Sequence, residues 1–170
     1  DGARWAAELG ADVLPTGSLR IRGAGPVARL AGYADGEWWV QDAAAALPAR
    51  LLLGALPRTA AKCVVADLCA APGGKTSQLA ASGARTFAVD SSGPRLATLR
   101  TNLARLDLAA EVVAADAADW QPPAPLDAVL LDAPCSATGT VRRHPDIPWR
   151  KNAANAVALA PAQDRLLDAA

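Results

Sequence analysis

The stretch KCVVADLCAAPGGKTSQLAAS, residues 62–82, places an apolar run, a glycine turn and a helix-forming run one after another. Residues 62–70 predict a strand, because they form a compact apolar run that ends at a turn signal. Residues 76–82 predict a helix, which Gly83 ends. A strand that leads through a tight glycine turn into a helix is the first half of a βαβ unit, so this stretch predicts an α/β fold.

The chain repeats this alternation of strands and helices as far as residue 135. Leucines recur at helical spacing between residues 93 and 108, which predicts an amphipathic helix. Strands that alternate with helices and are joined by short loops imply a parallel sheet with right-handed crossovers. The further predicted elements are strands over 85–90, 110–116 and 127–135, and the helix over 93–108, whose apolar face carries Leu96, Leu99, Leu103 and Leu106.

The beginning of the chain has a different pattern. The first 35 residues are rich in Gly and Pro and contain one short strand candidate, residues 18–22. Residues 36–42 then predict a strand that runs into a helix over 43–56. Asp42 is placed to cap that helix, because its carboxylate can accept hydrogen bonds from the first free amides. Pro48 would interrupt or kink the helix near its start.

The composition narrows the class of protein. The 170 residues are enough for one domain with a sizeable core, and the 17 basic and 17 acidic residues balance, so a charged partner must be recognised by a local patch. The three cysteines form no CxxC pair and no zinc pattern, and we expect no metal site. An odd number of cysteines without a signal peptide points to the reducing cytoplasm. The longest apolar runs are too short to cross a bilayer.

An aspartate stands at the carboxyl end of each of the four predicted strands. In open parallel sheets, ligands bind outside the carboxyl ends of the strands. A row of acids along this edge therefore indicates a binding site, although any single aspartate could instead cap a helix. The four residues are Asp67, Asp90, Asp116 and Asp132.

The turn after the first core strand selects among adenosine-bearing ligands. Its Gly74-Lys75-Thr76 matches the end of a P-loop, but Cys69 stands where that loop needs its first glycine. The dinucleotide fingerprint G-x-G-x-x-G is also missing. Asp90 is suitably placed for ribose hydroxyls, and Asp116 for an exocyclic adenine amine. S-adenosylmethionine, which has no phosphate, fits these features better than a nucleoside triphosphate, although a nucleotide triphosphatase stays open as an alternative.

Five motifs resemble the Sun/Fmu (RsmB-like) family of S-adenosylmethionine-dependent RNA cytosine-5 methyltransferases, and above all its bacterial branch acting on small-subunit ribosomal RNA. They are DLCAAPGGKT (67–76), VD (89–90), AAD (114–116), DAPCSATG (132–139) and RRHPDI (142–147). Residues 38–52 also resemble the segment that precedes the core in this family. The resemblance covers about residues 36–170.

The resemblance implies a Rossmann-like class I methyltransferase core over residues 36–170, incomplete at its C-terminus and truncated after the fourth strand and its following helix. Residues 1–35 would be the remnant of a preceding RNA-binding subdomain. The resemblance assigns Asp90 to the ribose, Asp116 to the adenine, and Asp132 to the methyl donor and the target base. It also implies that Arg95 helps to hold the cofactor. The methionine end would be held by Cys69, Ala70, Ala71, Pro72, Gly73, Gly74 and Lys75.

The reaction of this family is covalent: a thiolate adds to C6 of cytosine and makes C5 nucleophilic. The resemblance assigns the attack to a cysteine in a later Thr-Cys-Ser motif, which the 170 residues do not contain. Cys135 would then assist product release, or be a buried inert thiol. Asp132 would hold the base edge. We therefore expect these residues to bind cofactor weakly at best and to be inactive alone.

The segment RRHPDIPWRK, residues 142–151, predicts an RNA contact. Its basic residues Arg142, Arg143, Arg150 and Lys151 follow the catalytic strand tip and suit phosphates. A solvated loop without a partner is the alternative. Trp149 could stack on a base, but packing against the following helix is the favoured expectation. We expect a monomer when full length, with RNA as partner. A non-catalytic module that binds cofactor and RNA is the second functional hypothesis.

Overall fold

A computed structural model describes residues 2–170, and for Ala153 the backbone alone; Asp1, the first residue of the predicted N-terminal segment, lies outside the described residues. Short 3-10 turns at 27–29, 60–62 and 138–140 connect some of the elements. The helices are α1 (Gly2–Glu8), α2 (Leu47–Ala55), α3 (Gly74–Ala81), α4 (Gly93–Arg105), α5 (Ile147–Arg150) and α6 (Ala153–Ala169). The strands are β1 (Asp12–Val13), β2 (Leu19–Arg20), β3 (Val64–Leu68), β4 (Arg85–Asp90), β5 (Glu111–Ala114) and β6 (Ala128–Leu131).

The centre of the fold is a parallel sheet with the order β5-β4-β3-β6. β3 is central and pairs with both β4 and β6, with Leu68 opposite Val89 on one side and Leu131 on the other. The α/β fold class and the parallel sheet predicted from the sequence are confirmed. β6, the fourth core strand, forms one edge of the sheet. The carboxyl ends of all four strands lie on one side, so the residues that follow them share one rim.

Each face of the sheet packs against helices. On one face, α4 buries Leu96, Leu99 and Leu103 against Ala88 of β4, as their helical spacing predicted. The same face holds Leu79 of α3. On the other face, Leu166 of α6 packs into a cluster with residues of β3 and β4, namely Ala66, Leu68, Phe87 and Val89. The sheet is thus covered on both sides, as expected for parallel strands with apolar sequences.

Two predictions for the segment before the core are wrong. Residues 36–42 form no strand, and the helix predicted over 43–56 is α2, which begins only at Leu47. Pro48 explains the late start, because proline is tolerated in the first turn of a helix but not in its interior. Asp42 therefore caps no helix; its carboxylate accepts from the Ala44 N–H in the turn that precedes α2, at 2.9 Å.

The N-terminal segment is held against the core by α4. The Arg105 guanidinium donates to the main-chain carbonyls of Tyr33 and Trp38, at 2.6 and 3.1 Å, and stacks on the Tyr33 ring. Gly36 has a positive φ of 77°, and a Cβ there would overlap the Arg105 carbonyl oxygen, so only glycine allows this approach. The strand predicted over 18–22 exists as β2 and pairs with β1. The boundary after residue 35 stays a prediction.

The helices of the described part of the chain include none that is both long enough and apolar enough to cross a membrane.

Candidate functional site: the turn after the central strand

The turn between β3 and α3 has an unusual backbone. Cys69 and Gly73 both adopt positive φ, 62° and 104°, and the Ala71–Pro72 peptide bond is cis. The Gly73 N–H donates to the Ala70 carbonyl and the Ala70 N–H donates to the Val89 carbonyl of β4. The turn is therefore compact and joined to the neighbouring strand, while α3 begins with its free N–H groups on the rim of the sheet.

Gly73 cannot be replaced by a residue with a side chain at little cost. A Cβ at this position would lie 3.0 Å from Cγ of Leu99 in α4, and its φ belongs to the region that favours glycine. Asn102 of the same helix donates its side-chain amide to the Pro72 carbonyl at 3.0 Å. α4 thus packs against the turn and fixes its backbone.

Asp90 fixes the turn from the end of β4. It is 4% exposed, and its carboxylate accepts from the main-chain N–H of Ala71 at 3.1 Å and of Ser92 at 2.9 Å. Arg95 lies 3.5 Å from the carboxylate and also donates to the Ala71 carbonyl. Each carboxylate oxygen has two lone pairs, so these bonds leave acceptor capacity. The ribose role that the sequence assigned to Asp90 stays a prediction.

Lys75 and Asp132 form an ion pair across the rim, between the start of α3 and the end of β6. Their N–O distance is 2.7 Å, and the side chain of Lys75 is 15% exposed whereas that of Asp132 is 57% exposed. The lysine stem is thus buried along the turn, and the carboxylate faces outward. A carboxylate in this position can accept hydrogen bonds from an incoming polar group while the ammonium compensates its charge.

Asp67, the acid of β3, is the most deeply buried of the four aspartates predicted at this rim. It is 1% exposed, and its Oδ2 accepts from the Thr76 hydroxyl at 2.6 Å. Its Oδ1 is buried without a hydrogen-bond partner among the described residues. Burial raises the pKa of Asp67 to about 7, although the Thr76 hydrogen bond and Lys75 act in the opposite direction. An unsatisfied buried acceptor is costly, so a ligand donor near this atom would be favoured.

Asp116 follows β5 and lies apart from this group. Its carboxylate accepts from the Ala118 N–H and pairs with Arg165 of α6. The pKa of Asp116 is lowered, first by the Ala118 hydrogen bond and then by Arg165. The sequence indicated no partner for Asp116, and Arg165 could not be found from it, because only the packing of α6 against the sheet brings the two together.

A cavity of about 390 Å³ lies against the turn. It contains the whole predicted set Cys69–Lys75 together with Asp132, so the structure brings these predicted residues together. Asp90, Arg95, Asp116 and Cys135 do not line it. The sequence analysis missed several of its polar and aromatic residues, namely Tyr33, Trp39, Gln41, Asp42, Ser77, Asn102 and Arg105. They belong to the preceding segment and to α3 and α4. Trp39, Gln41 and Asp42 fall within the stretch 38–52 noted above for its resemblance, but no site role was assigned to them.

Gln41 connects the segment before the core to the turn. Its side-chain amide donates to the Gln78 side chain of α3 at 2.8 Å and accepts from the Trp39 indole N–H at 3.1 Å. A Cβ at Gly74 would approach the Gln41 side chain to 3.4 Å. The irregular chain over 36–42, predicted as a strand, is thus held to α3 by the Gln41 side chain.

The three cysteines have different surroundings. Cys63 is buried, and its thiol lies 3.7 Å from the Arg58 and Thr59 carbonyls. The pKa of Cys69 is raised to about 11, mainly by burial and then by Asp90. Cys135 is exposed, three residues after Asp132, so it is not the buried inert thiol that the sequence left open.

The basic segment after β6, residues 142–151, lies on the surface. Arg142 and Arg143 both approach the Asp42 carboxylate, at 3.7 and 3.8 Å. Trp149, a residue of α5, is 90% exposed, so its predicted packing against the following helix, α6, is wrong. Arg150 pairs with Asp146, and Lys151 is exposed.

The described residues contain no group of three or more His, Cys, Asp or Glu side chains that could hold a metal ion.

Comparisons with known proteins give a consistent result. Residues 56–170 match the family described as 16S rRNA methyltransferase RsmB/F. A ribosomal RNA small subunit methyltransferase B from Vibrio cholerae is 44% identical over 148 residues, which are 84% of this chain and 33% of that protein. The chain spans about a third of the length of the curated relatives it matches.

Two solved structures share the fold. The crystal structure of PH0851 has a TM-score of 0.84 at 28% identity, over 99% of this chain and 40% of that chain. NSun6 from Pyrococcus horikoshii, solved with the S-adenosylmethionine analogue SFG, has a TM-score of 0.72 at 29% identity, over 86% of this chain and 37% of that chain. The likeness therefore includes the parallel sheet and the turn after its central strand.

Proposed function

Because the chain belongs to the 16S rRNA methyltransferase RsmB/F family, we propose that it carries the cofactor site of an enzyme that methylates cytosine C5 in small-subunit ribosomal RNA. One observation supports this most: the Cys69–Lys75 turn and Asp132 line a single cavity at the carboxyl end of the central strands. Such a substrate would place the protein in the cytoplasm.

S-adenosylmethionine is the cofactor of this family, and the residues at the turn fit it. The sulfonium supplies an electrophilic methyl group when the cofactor is bound. The turn offers main-chain groups and no glycine-rich run for a triphosphate, and the unpaired buried oxygen of Asp67 is suited to a hydrogen-bond donor. Residues Cys69–Lys75 would hold the amino acid end, and Asp90, with its remaining lone pairs, the ribose.

The base side of the site would be formed by Asp132 and Cys135. The exposed carboxylate of Asp132 can accept from the exocyclic amine of cytosine, while Lys75 fixes its orientation. Cys135 is three residues away and exposed, which suits a thiol that assists release of the product. Cys69 keeps its proton near neutral pH, since its pKa is raised, and Cys63 is buried, so neither suits the attack.

The covalent mechanism is part of the proposal. A cysteine thiolate would add to C6 and make C5 nucleophilic. C5 would take the methyl group and displace a neutral thioether; a base would then take the C5 proton, and breaking the bond from sulfur to C6 would return the thiolate. The attacking thiol in a Thr-Cys-Ser motif stays a prediction, and so does the expectation that these 170 residues bind cofactor but do not turn over.

RNA would be bound by the basic segment 142–151. Its four basic side chains suit phosphates, and Trp149, at 90% exposure, suits stacking on an unpaired base. Arg143 also lines the cavity beside Lys75 and Asp132. A phosphate next to the target nucleotide would thus lie close to the proposed reaction site.

The test measures binding and transfer separately. We expect S-adenosylmethionine to bind in titration calorimetry with preference over ATP. With a longer chain that includes the Thr-Cys-Ser motif, labelled methyl should appear on cytosine C5 of small-subunit ribosomal RNA, located by digestion and mass spectrometry. Asp132→Asn should lower transfer at least about tenfold, since a neutral amide replaces the charged acceptor for the base edge, and Asp168→Asn, an exposed acid in α6, should not. Preferential binding of ATP would refute the proposal, and binding of cofactor and RNA without transfer would favour a non-catalytic module.

A further inference from the structure

In the proposed function Asp67 serves only as a hydrogen-bond acceptor, but its surroundings bear on its charge as well. Its carboxyl group is 1% exposed, yet it lines the cavity at the turn. Oδ2 accepts from the Thr76 hydroxyl, whereas Oδ1 has no hydrogen-bond partner among the described residues. Buried carboxylates are normally paired or hydrogen-bonded at both oxygens, so this atom needs an explanation.

The cations of the cavity compensate a charge on Asp67 only in part: Lys75 acts on it, but is shared with Asp132. The three cations that line the cavity are each engaged within the protein: Lys75 with Asp132, Arg143 with Asp42, and Arg105 with main-chain carbonyls. A buried carboxylate whose charge is compensated only in part takes up a proton more readily than one in water. A positive group from outside the protein would reverse this balance.

We propose that Asp67 holds a proton in the ligand-free protein and releases it to solvent when the ammonium group of the cofactor's amino acid end enters the cavity, so that its Oδ1 becomes a binding residue for that ammonium. This inference rests on the proposed function, since it takes the ligand from there. It makes cofactor affinity depend on pH through one buried side chain.

The charges around Asp67 agree with this inference. Burial is the main reason that its pKa is raised to about 7. Lys75, from α3, opposes the shift, but it is shared with Asp132. The ionisable groups that face Asp67 from the neighbouring elements are Cys69 in the turn, Lys75 in α3, Asp90 at the end of β4 and Asp132 after β6. Two of them are acids that disfavour a further negative charge, so an added cation would shift Asp67 toward its ionised form near neutral pH.

The first test is calorimetry with S-adenosylhomocysteine, which keeps the ammonium but carries no sulfonium charge. Titrations between pH 5.5 and 8.5 in two buffers of different ionisation enthalpy count the protons released. We expect close to one proton released at about pH 6, and an affinity that rises up to about tenfold per pH unit below the pKa of Asp67 and then levels off. Methylthioadenosine, which lacks the amino acid end, should bind without proton release.

Variants assign the proton to its residue. Asp67→Asn should abolish proton release and flatten the pH dependence, and it should weaken binding more at pH 8 than at pH 6. Asp168→Asn, an exposed acid in α6, should behave as the wild type. Equal proton release in Asp67→Asn, or equal release on binding of methylthioadenosine, would overturn the inference.

A second measurement, on the wild-type protein, tests the inference even if Asp67→Asn fails to fold. The native state keeps the Asp67 proton to higher pH than the unfolded chain does, so unfolding releases it and stability falls as pH rises from about 4 to 7. In the ligand-free wild type we expect the melting temperature to fall across this range and the carboxyl carbon of Asp67 to titrate near neutral pH by NMR. A carboxyl that titrates near pH 4 would overturn the inference and leave the proposed function intact, whereas failure of S-adenosylhomocysteine and S-adenosylmethionine to bind at all would overturn both.

Discussion

The Cys69–Lys75 turn and the basic segment 142–151 lie at the same rim of the sheet but differ in how they are held. In the turn, Ala71, Gly73 and Asp90 are connected by main-chain and buried carboxylate hydrogen bonds. In the basic segment, Arg142 and Arg143 meet Asp42 only at 3.7 and 3.8 Å, and Trp149 is 90% exposed. One region is built before any ligand arrives, and the other offers side chains to solvent.

This difference fits the two kinds of ligand proposed for the site. A small ligand gains affinity from a preorganised cavity, because little ordering is required on binding. A polyanion gains affinity from exposed cations whose counterions are released. Changes in the turn should therefore act mainly on stability and cofactor binding, and changes in the basic segment mainly on RNA affinity.

The largest expected effect tests whether Asp90 holds the turn. Asp90→Ala removes the acceptor of the Ala71 and Ser92 N–H groups and should reduce the free energy of unfolding by about 3 kcal/mol, because buried donors are left unpaired. Urea denaturation measures this loss. Asp168→Ala, an exposed acid in α6, is the control and should change stability by less than about 0.5 kcal/mol. A comparable loss in both variants would show that the turn is not specially held.

The second prediction concerns the close approach of the turn to α4. Gly73→Ala should destabilise the protein by about 2 kcal/mol, because a positive φ is sterically unfavourable for alanine and its Cβ would be in close contact with Leu99. Gly54→Ala is the matched control: it lies inside α2 with open space around it, and should stabilise by about 0.5 kcal/mol. Thermal unfolding of both variants would give shifts of opposite sign; shifts of the same sign would contradict the description of the turn.

The third prediction tests the basic segment. Reversing Arg142 and Arg143 to Glu should lower RNA affinity about tenfold or more and flatten the slope of log K against log salt by about 2, as expected for the loss of two phosphate contacts. Stability should change little, since both side chains lie on the surface. The matched control reverses Arg85 and Arg100 to Glu, which changes the net charge equally. These two residues lie together, and Arg85 is at the amino end of β4, away from the rim. Equal losses in both double variants would indicate a general charge effect without a local patch.

The smallest expected effect concerns Asp42. Its carboxylate competes with phosphates for Arg142 and Arg143, but the pairs are long and partly exposed, so each contributes little. Asp42→Asn should raise RNA affinity about two- to threefold at low salt, and the gain should disappear in high salt. Asp35→Asn, an exposed acid of the N-terminal segment, gives the control in the same fluorescence titration. Lower affinity in Asp42→Asn would mean that this acid orients the arginines for RNA instead of competing for them.

The sequence predicted the core elements well because their signals are local. The apolar run before the turn, the leucine spacing of α4 and the glycine turn all specify conformation over a few residues. The strand predicted over 36–42 was wrong because the apolar residues of a short stretch do not show whether a neighbouring strand is available for pairing. In the structure a hydrogen bond between the Gln41 and Gln78 side chains holds this segment instead. The prediction for Trp149 was wrong because whether a neighbouring helix covers a side chain depends on tertiary packing, which a local pattern does not specify.

The sequence by itself determined that the sheet is parallel, how strands and helices follow one another along the chain, and the row of acids after the strands, since these follow from periodicity and from turn residues. Only the tertiary structure decided what each acid does at that rim. Asp90 is bonded to the turn, Asp116 to Arg165 and Asp132 to Lys75, while one oxygen of Asp67 is left without a partner. The reason is physical: a carboxylate's partners come from elements distant in the chain, and burial, which raises its pKa, exists only after those elements pack.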